Sequence, residues 1–292
     1  MDTGSFSGFE ITVRDPGIAW FRFNSPERLN GMTVGMKRDL IEAVTQAQMD
    51  NAIRVLVFTG SGRAFCAGDD LGAYKDAKLS GTPLVPPIPP GHDNALGTYN
   101  ALRTISQRVN TVVRSLDKLT VAAINGVAIQ TGFSLALACD FRIAAAGARM
   151  GSATLRFGLL PDEGGQYLLV QHLGLARALD FLMRKRIVSA EEAVELGLVT
   201  QVVAPEDLDS AAQTLAEELA NGPQVAMRML KRSVYNAADQ TWDAALDDIA
   251  TRTAITDHHP DTREGVASFR EKRAPSFNAW LQHSRERQNP LD

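Results

Sequence analysis

The chain has 292 residues, 45% of them hydrophobic, which is enough for one sizeable core with a smaller helical part appended. A formal net charge of -4 and a pI near 5.8 exclude the strongly basic surface that nucleic acid or an anionic membrane calls for. Two cysteines, Cys66 and Cys139, are too few for a disulfide scaffold or a cysteine metal site, and they read as reduced, buried thiols of a cytoplasmic protein. No apolar run reaches the roughly 18 residues of a membrane span. Met1 to Gly8 lacks the charged start and apolar stretch of a secretory signal.

Ile18 to Asn24 reads as a short strand that runs into a polar turn at Ser25-Pro26-Glu27. Thr33 is placed to cap a helix from Val34 to Asp50, with Met36, Leu40, Ile41, Val44 and Ala47 on its apolar face. Arg54 to Gly60 is a short β-branched run stopped by glycine, a buried strand, and Val121 to Gly126 is another. Phe133 to Ala138 reads as helix and leads into a strand at Asp140 to Ala144. Strand, helix and strand in this order predict an α/β fold. From Ala190 the pattern is helical and more charged, over Ala190–Leu196, Leu208–Ala220, Pro223–Asn236 and Trp242–Thr256. This divides the chain into a core over 1–200 and a helical region over 201–292.

Lys78 to Asn94 carries Pro83, Pro86, Pro87, Pro89 and Pro90, so it is neither helix nor central strand; a lid and a disordered segment both fit it. Gly60-Ser61-Gly62 follows a strand, but the third glycine of a dinucleotide fingerprint would fall on Phe65. His258-His259 before Pro260 reads as a solvated turn rather than a metal site.

Several segments carry a family likeness by their order and spacing: Asn24-Ser25-Pro26-Glu27-Arg28-Leu29-Asn30, Ala64 to Leu71, Ala122 to Ala128, Leu135 to Asp140, Gly158 to Gly165, Ala190 to Val199, and Glu264 to Arg273. Together they span nearly the whole chain, which resembles the crotonase (enoyl-CoA hydratase/isomerase) superfamily. The resemblance implies a spiral of ββα units with a C-terminal helical region that assembles trimers, often paired into hexamers. It implies an acyl-CoA thioester as substrate, with coenzyme A arriving as part of that substrate and no further cofactor or metal. Two backbone N–H groups would form an oxyanion hole for a thioester enolate, here those of Asp69 and Thr131. Thr131 lies in Gln130-Thr131-Gly132, where the family has a glycine-rich turn. The resemblance also assigns Arg28, Ala67, Gly68 and Asp70 to coenzyme A. Phe269 and Lys272 match a pair that closes over the nucleotide of a neighbouring subunit.

Hydratases of the family carry two glutamates, one at the start of the helix after the second N–H and one twenty residues later. Here those positions hold Ser134 and Thr154, which would line the acyl site but cannot act as a base near neutral pH. Asp162, in Gly158-Leu159-Leu160-Pro161-Asp162-Glu163-Gly164-Gly165, matches the acid/base position of the family's single-aspartate isomerases and the nucleophile position of its dehalogenases. Isomerase chemistry with Asp162 as acid/base is the first expectation. An acyl-CoA hydrolase or dehalogenase-like enzyme, a hydratase independent of the two glutamates, and a catalytically weak CoA-ester binder stay open. Asp162 could also cap the helix that begins at Gly164-Gly165. Glu163 is expected to be solvated or to face another subunit.

Overall fold

The computed structural model describes residues 1–70 and 94–281. The proline-rich stretch therefore lies outside the described residues, apart from Asn94, whose side chain caps the next helix by accepting from the Gly97 N–H.

Among the described residues, strands β1 (Gly4–Phe6), β2 (Phe9–Arg14), β3 (Ile18–Phe23), β4 (Val55–Gly60), β6 (Leu119–Ile124), β8 (Phe141–Ala145) and β11 (Gln201–Val203) form one sheet, in the order β1-β2-β3-β4-β6-β8-β11. From β3 to β11 every pairing is parallel. A smaller sheet, β10-β9-β7-β5, is built from β5 (Ala64–Cys66), β7 (Val127–Ile129), β9 (Arg149–Gly151) and β10 (Ile187–Ser189). Each long strand hands over to a short one: β4 to β5, β6 to β7, β8 to β9. A helical segment then returns the chain to the large sheet, so successive ββα units wind as a spiral.

The helices are α1 (Val34–Met49), α2 (Ala95–Ala101), α3 (Gln107–Ser115), α4 (Thr131–Ala138), α5 (Gly165–Leu173), α6 (Leu175–Met183), α7 (Ala190–Glu195), α8 (Leu208–Asn221), α9 (Gln224–Ala237), α10 (Trp242–Asp257) and α11 (Pro260–Glu271). Thr33 caps α1 as its sequence predicts, accepting from the Met36 N–H at 3.1 Å. The expected apolar face of α1 is buried, with Ile41 half-buried at its margin. Lys37 is fully buried on that same face.

The central strands are apolar at consecutive positions because both faces of the large sheet are covered. Leu56 and Phe58 of β4 point into the main core, whereas Val55 and Val57 point to a second cluster under α8. That helix contributes Leu208, Ala212, Ala216, Leu219 and Ala220, one stripe at helical spacing. β11 and α8 thus complete the core, and α9 packs on it through Met227 and the buried Lys231, which donates to Asp140. No helix among the described residues is long and apolar enough to cross a membrane.

Candidate active site

The smaller sheet and the first turn of α4 place two backbone segments side by side. Gly68 follows β5 with φ of +109°, a left-handed value that glycine tolerates, and a β-carbon there would lie 3.1 Å from Gln130 Cβ. Gln130 itself has φ 55° and ψ -116°, a geometry that usually requires glycine and that costs about 1–3 kcal/mol in another residue. The turn thereby made starts α4 at Thr131. Met32 pairs with the loop through its N–H to the Gly68 carbonyl and its own carbonyl to the Asp70 N–H, leaving the Asp69 N–H directed the other way. Neither the Asp69 nor the Thr131 N–H meets an acceptor among the described residues.

Side chains of the same two residues are bonded to each other. Thr131 Oγ1 lies 2.8 Å from Asp69 Oδ1, and Lys37 Nζ donates to Asp69 Oδ2 at 2.8 Å and to Ser106 Oγ at 2.9 Å. The buried ammonium of Lys37 is thus balanced by the Asp69 carboxylate. On the other side, Thr131 Oγ1 lies 2.6 Å from Glu163 Oε1.

Glu163 is 4% exposed, which corrects the expectation that it would be solvated or face another subunit. The cause is α3: Gln107 Nε2 donates to the Asp162 carbonyl at 2.9 Å and Asn110 Nδ2 to the Glu163 carbonyl at 2.8 Å, drawing the turn before α5 inward. Burial and the neighbouring charge of Asp162 push the Glu163 carboxyl up to about 7. Asp162 is half-buried, and its carboxylate accepts no hydrogen bond from any described residue. It is not a helix cap, since the N-cap of α5 is Gly164.

The hydroxyl-bearing positions join the same cluster. Ser134, in the first turn of α4, is buried against Gly165. Thr154 Oγ1 lies 3.3 Å from Ser152 Oγ, which donates to Gln130 Oε1 at 3.1 Å. Thr131 and Ser134 share the first turn of α4, Thr154 reaches Gln130 through Ser152, and Asp162 directly precedes Glu163.

Residues 14–82 and 91–280 match the enoyl-CoA hydratase/isomerase family. The chain belongs to that family. Among its relatives, a 1,2-epoxyphenylacetyl-CoA isomerase of Escherichia coli is 36% identical, covering 92% of this chain and 98% of its own length. A crotonyl-CoA hydratase of Syntrophomonas wolfei is 29% identical, covering 91% and 96%. The crystal structure of an enoyl-CoA hydratase from Bacillus anthracis superposes with a TM-score of 0.83 at 29% identity, covering 93% of this chain and 99% of that one. The crotonase fold and an acyl-CoA-processing enzyme follow for this chain.

In this crotonase-fold enzyme the residues expected around coenzyme A fall into two groups. Arg28, Ala67, Gly68 and Asp70 lie together: Arg28 Nη1 pairs with Asp70 Oδ2 at 2.8 Å, and the Ala67 N–H bonds the Leu29 carbonyl. Phe269, 85% exposed, and Lys272, the left-handed C-cap of α11, belong to the C-terminal helices. Among the described residues no hydrogen bond joins them to the Asp69–Thr131 cluster. His259 caps α11, its ring accepting from the Asp261 N–H.

The sequence does not single out Lys37, and it places Glu163 at the surface, whereas both are buried members of the cluster. Lys37 left a signal, because with Leu40, Val44 and Ala47 it stands at helical spacing on the apolar face of α1. Nothing local marks Glu163, whose burial depends on side chains of α3.

Proposed function

We propose that this enzyme is an acyl-CoA isomerase in which Asp162 moves a proton along an enolised acyl chain. One observation carries the reading. Ser134 and Thr154 occupy the two positions of the hydratase glutamates, while beside them Asp162 offers a carboxylate with no hydrogen bond to any described residue. Asp162 takes a proton from one carbon of the acyl chain, and the electron pair of that C–H bond passes to the thioester oxygen. The N–H groups of Asp69 and Thr131 hold the resulting enolate, a contribution of several kcal/mol at such sites. The proton then returns from Asp162 to a different carbon, the enolate collapses, and the double bond has moved. One carboxylate serves both steps, and no cofactor beyond the substrate's own coenzyme A is required.

Arg28, Ala67, Gly68 and Asp70 would receive the coenzyme A moiety, with Phe269 and Lys272 supplied by a neighbouring subunit. Support for a trimer or hexamer comes from α9 and α10, which expose the large apolar side chains Leu230, Val234, Trp242, Leu246, Ile249 and Ile255, the kind of surface that marks an interface when contiguous. Free, buried Cys66 and Cys139 agree with a cytoplasmic enzyme. The E. coli relative named as an isomerase favours this reaction type, and the relatives named as hydratases favour the other.

A panel of thioesters tests the proposal. The enzyme is expected to shift the double bond of a 3-enoyl-CoA, or open an epoxide-bearing acyl-CoA, faster than it hydrates crotonyl-CoA. An acyl-aspartate at residue 162 trapped in mass spectrometry would replace isomerase with hydrolase chemistry. Tight coenzyme A binding with no turnover across the panel would leave a binding protein.

A further inference from the structure

Three oxygens of this site cannot be satisfied by the proton that Thr131 alone supplies. The Thr131 hydroxyl has one hydrogen, yet carboxylate oxygens lie on both sides of it, Asp69 Oδ1 at 2.8 Å and Glu163 Oε1 at 2.6 Å. Both separations are hydrogen-bond lengths, so two protons are needed. Asp69 is the anion of the Lys37 ion pair and acts as acceptor. The second proton therefore sits on Glu163. Its other oxygen, Oε2, is buried without a partner among the described residues, which a carbonyl oxygen withstands far better than half of a carboxylate charge does.

We infer that Glu163 is a positioning residue working as a neutral carboxylic acid: Oε1–H donates to Thr131 Oγ1, and the Thr131 hydroxyl in turn donates to Asp69 Oδ1. This chain ties together, through their side chains, the two residues whose N–H groups face the site. It thereby fixes α4 against the loop after β5. A neutral Glu163 also avoids a second buried carboxylate charge beside Asp162. The titratable groups that act on Glu163 are Asp162 on its own turn and Asp69 on the loop after β5. Cys66 of β5 also lies within electrostatic reach, and burial pushes its thiol up to about 12. Lys37 of α1 stands behind Asp69, and α3 contributes only the amides of Gln107 and Asn110. Ionisation of Glu163, expected near pH 7, withdraws the donor and leaves one hydroxyl between two carboxylates. The lock then loosens as pH rises.

This inference rests on the enolate reading above, and the experiment has two arms so that the two can fail separately. Infrared difference spectroscopy on the free protein, native minus Glu163→Gln, reads the protonation state. A protonated-carboxyl band at pH 6 that disappears by pH 8.5 is expected. A carboxylate signature for Glu163 at pH 6 overturns the inference. The second arm follows exchange of the α-protons of phenylacetyl-CoA in D2O by NMR, against pH. Glu163→Gln keeps a donor toward Thr131, so its exchange rate at pH 6 is expected within about threefold of native, without the native decline above pH 7. Glu163→Leu removes the donor, and kcat is expected to fall about tenfold to a hundredfold, with KM little changed, as misplaced groups do. A Glu163→Gln variant as inactive as Asp162→Asn would make Glu163 a base and overturn the inference. So would an alkaline decline that persists in Glu163→Gln. Should native protein exchange no α-protons, the enolate reading fails while the infrared arm still decides the state of Glu163, even if Glu163→Leu does not fold.

Discussion

Ser134 Oγ faces the backbone of Gly165 so closely that a β-carbon on the glycine would lie 2.4 Å from it. Ser134, where the family resemblance expects the first hydratase glutamate, is thus a small side chain packed against the start of α5. Hydration requires a water to be deprotonated while the α-carbon receives a proton, which two carboxyl groups perform together. Crotonyl-CoA hydration by this enzyme should be orders of magnitude slower than by a two-glutamate relative. Absorbance assays on both proteins at equal concentration check this. Turnover at the relative's speed would mean that Asp162 and Glu163 share both roles.

Asp162→Asn keeps size and polarity but removes the proton-accepting charge. Turnover of the responding thioester is expected to fall about 10²–10⁴-fold, as for loss of a general base. Since α5 is capped by Gly164 and not by this side chain, the melting temperature should hardly move. A rate equal to native, in a variant of native stability, would remove Asp162 from the chemistry.

Gly132 sits where α4 crosses β5, and a β-carbon on it would lie 2.1 Å from the Cys66 carbonyl oxygen. Neither backbone can turn aside, so Gly132→Ala must push the helix from the strand. A loss of roughly 1–3 kcal/mol in urea unfolding is expected, the usual cost of overpacking. Activity should fall further than stability accounts for, because the displacement separates Thr131 from Asp69. Native unfolding free energy in the variant would show that the two elements can slide apart freely.

The Glu163 carboxyl is raised from 4.5 to about 7 in the folded state. Between those values the folded protein holds a proton that the unfolded chain has released. The stability contributed by neutral Glu163 is therefore complete at and below pH 4.5 and is lost as pH rises through about 7. Glu163→Gln does not titrate. Its unfolding free energy should match native near pH 4.5 and exceed it at pH 8. Parallel curves for the two proteins across this range would show that Glu163 is not the titrating group.

Self-association is the remaining expectation. With Phe269 85% exposed and apolar side chains lining the outside of α9 and α10, sedimentation at micromolar concentration should give a trimer or a multiple of one. A monomer would leave Phe269 and Lys272 without a nucleotide to cover.

The amino-acid sequence by itself determined the central strands, the capped start of α1 and the C-terminal helices as far as Thr256, though not α11, because each rests on local spacing: apolar runs closed by glycine, a threonine before a helical stripe, charged stretches of helical length. It determined as well that Ser134 and Thr154 are not carboxylates, and that Asp162 stands in a Pro-Asp-Glu-Gly-Gly turn. The short strands β5, β7 and β9 were not legible, since three residues carry no period and form only by pairing across the smaller sheet. Nor was the contrast between Asp162 and Glu163, two adjacent acids of similar local surroundings. Tertiary structure decided it. Gln107 and Asn110 of α3 hold the turn's carbonyls, Thr131 of α4 takes the Glu163 side chain, and Asp162 is left unbonded by the described residues. A carboxyl group's protonation depends on how much water it loses and which charges lie within a few ångströms, and those neighbours come from segments distant in sequence.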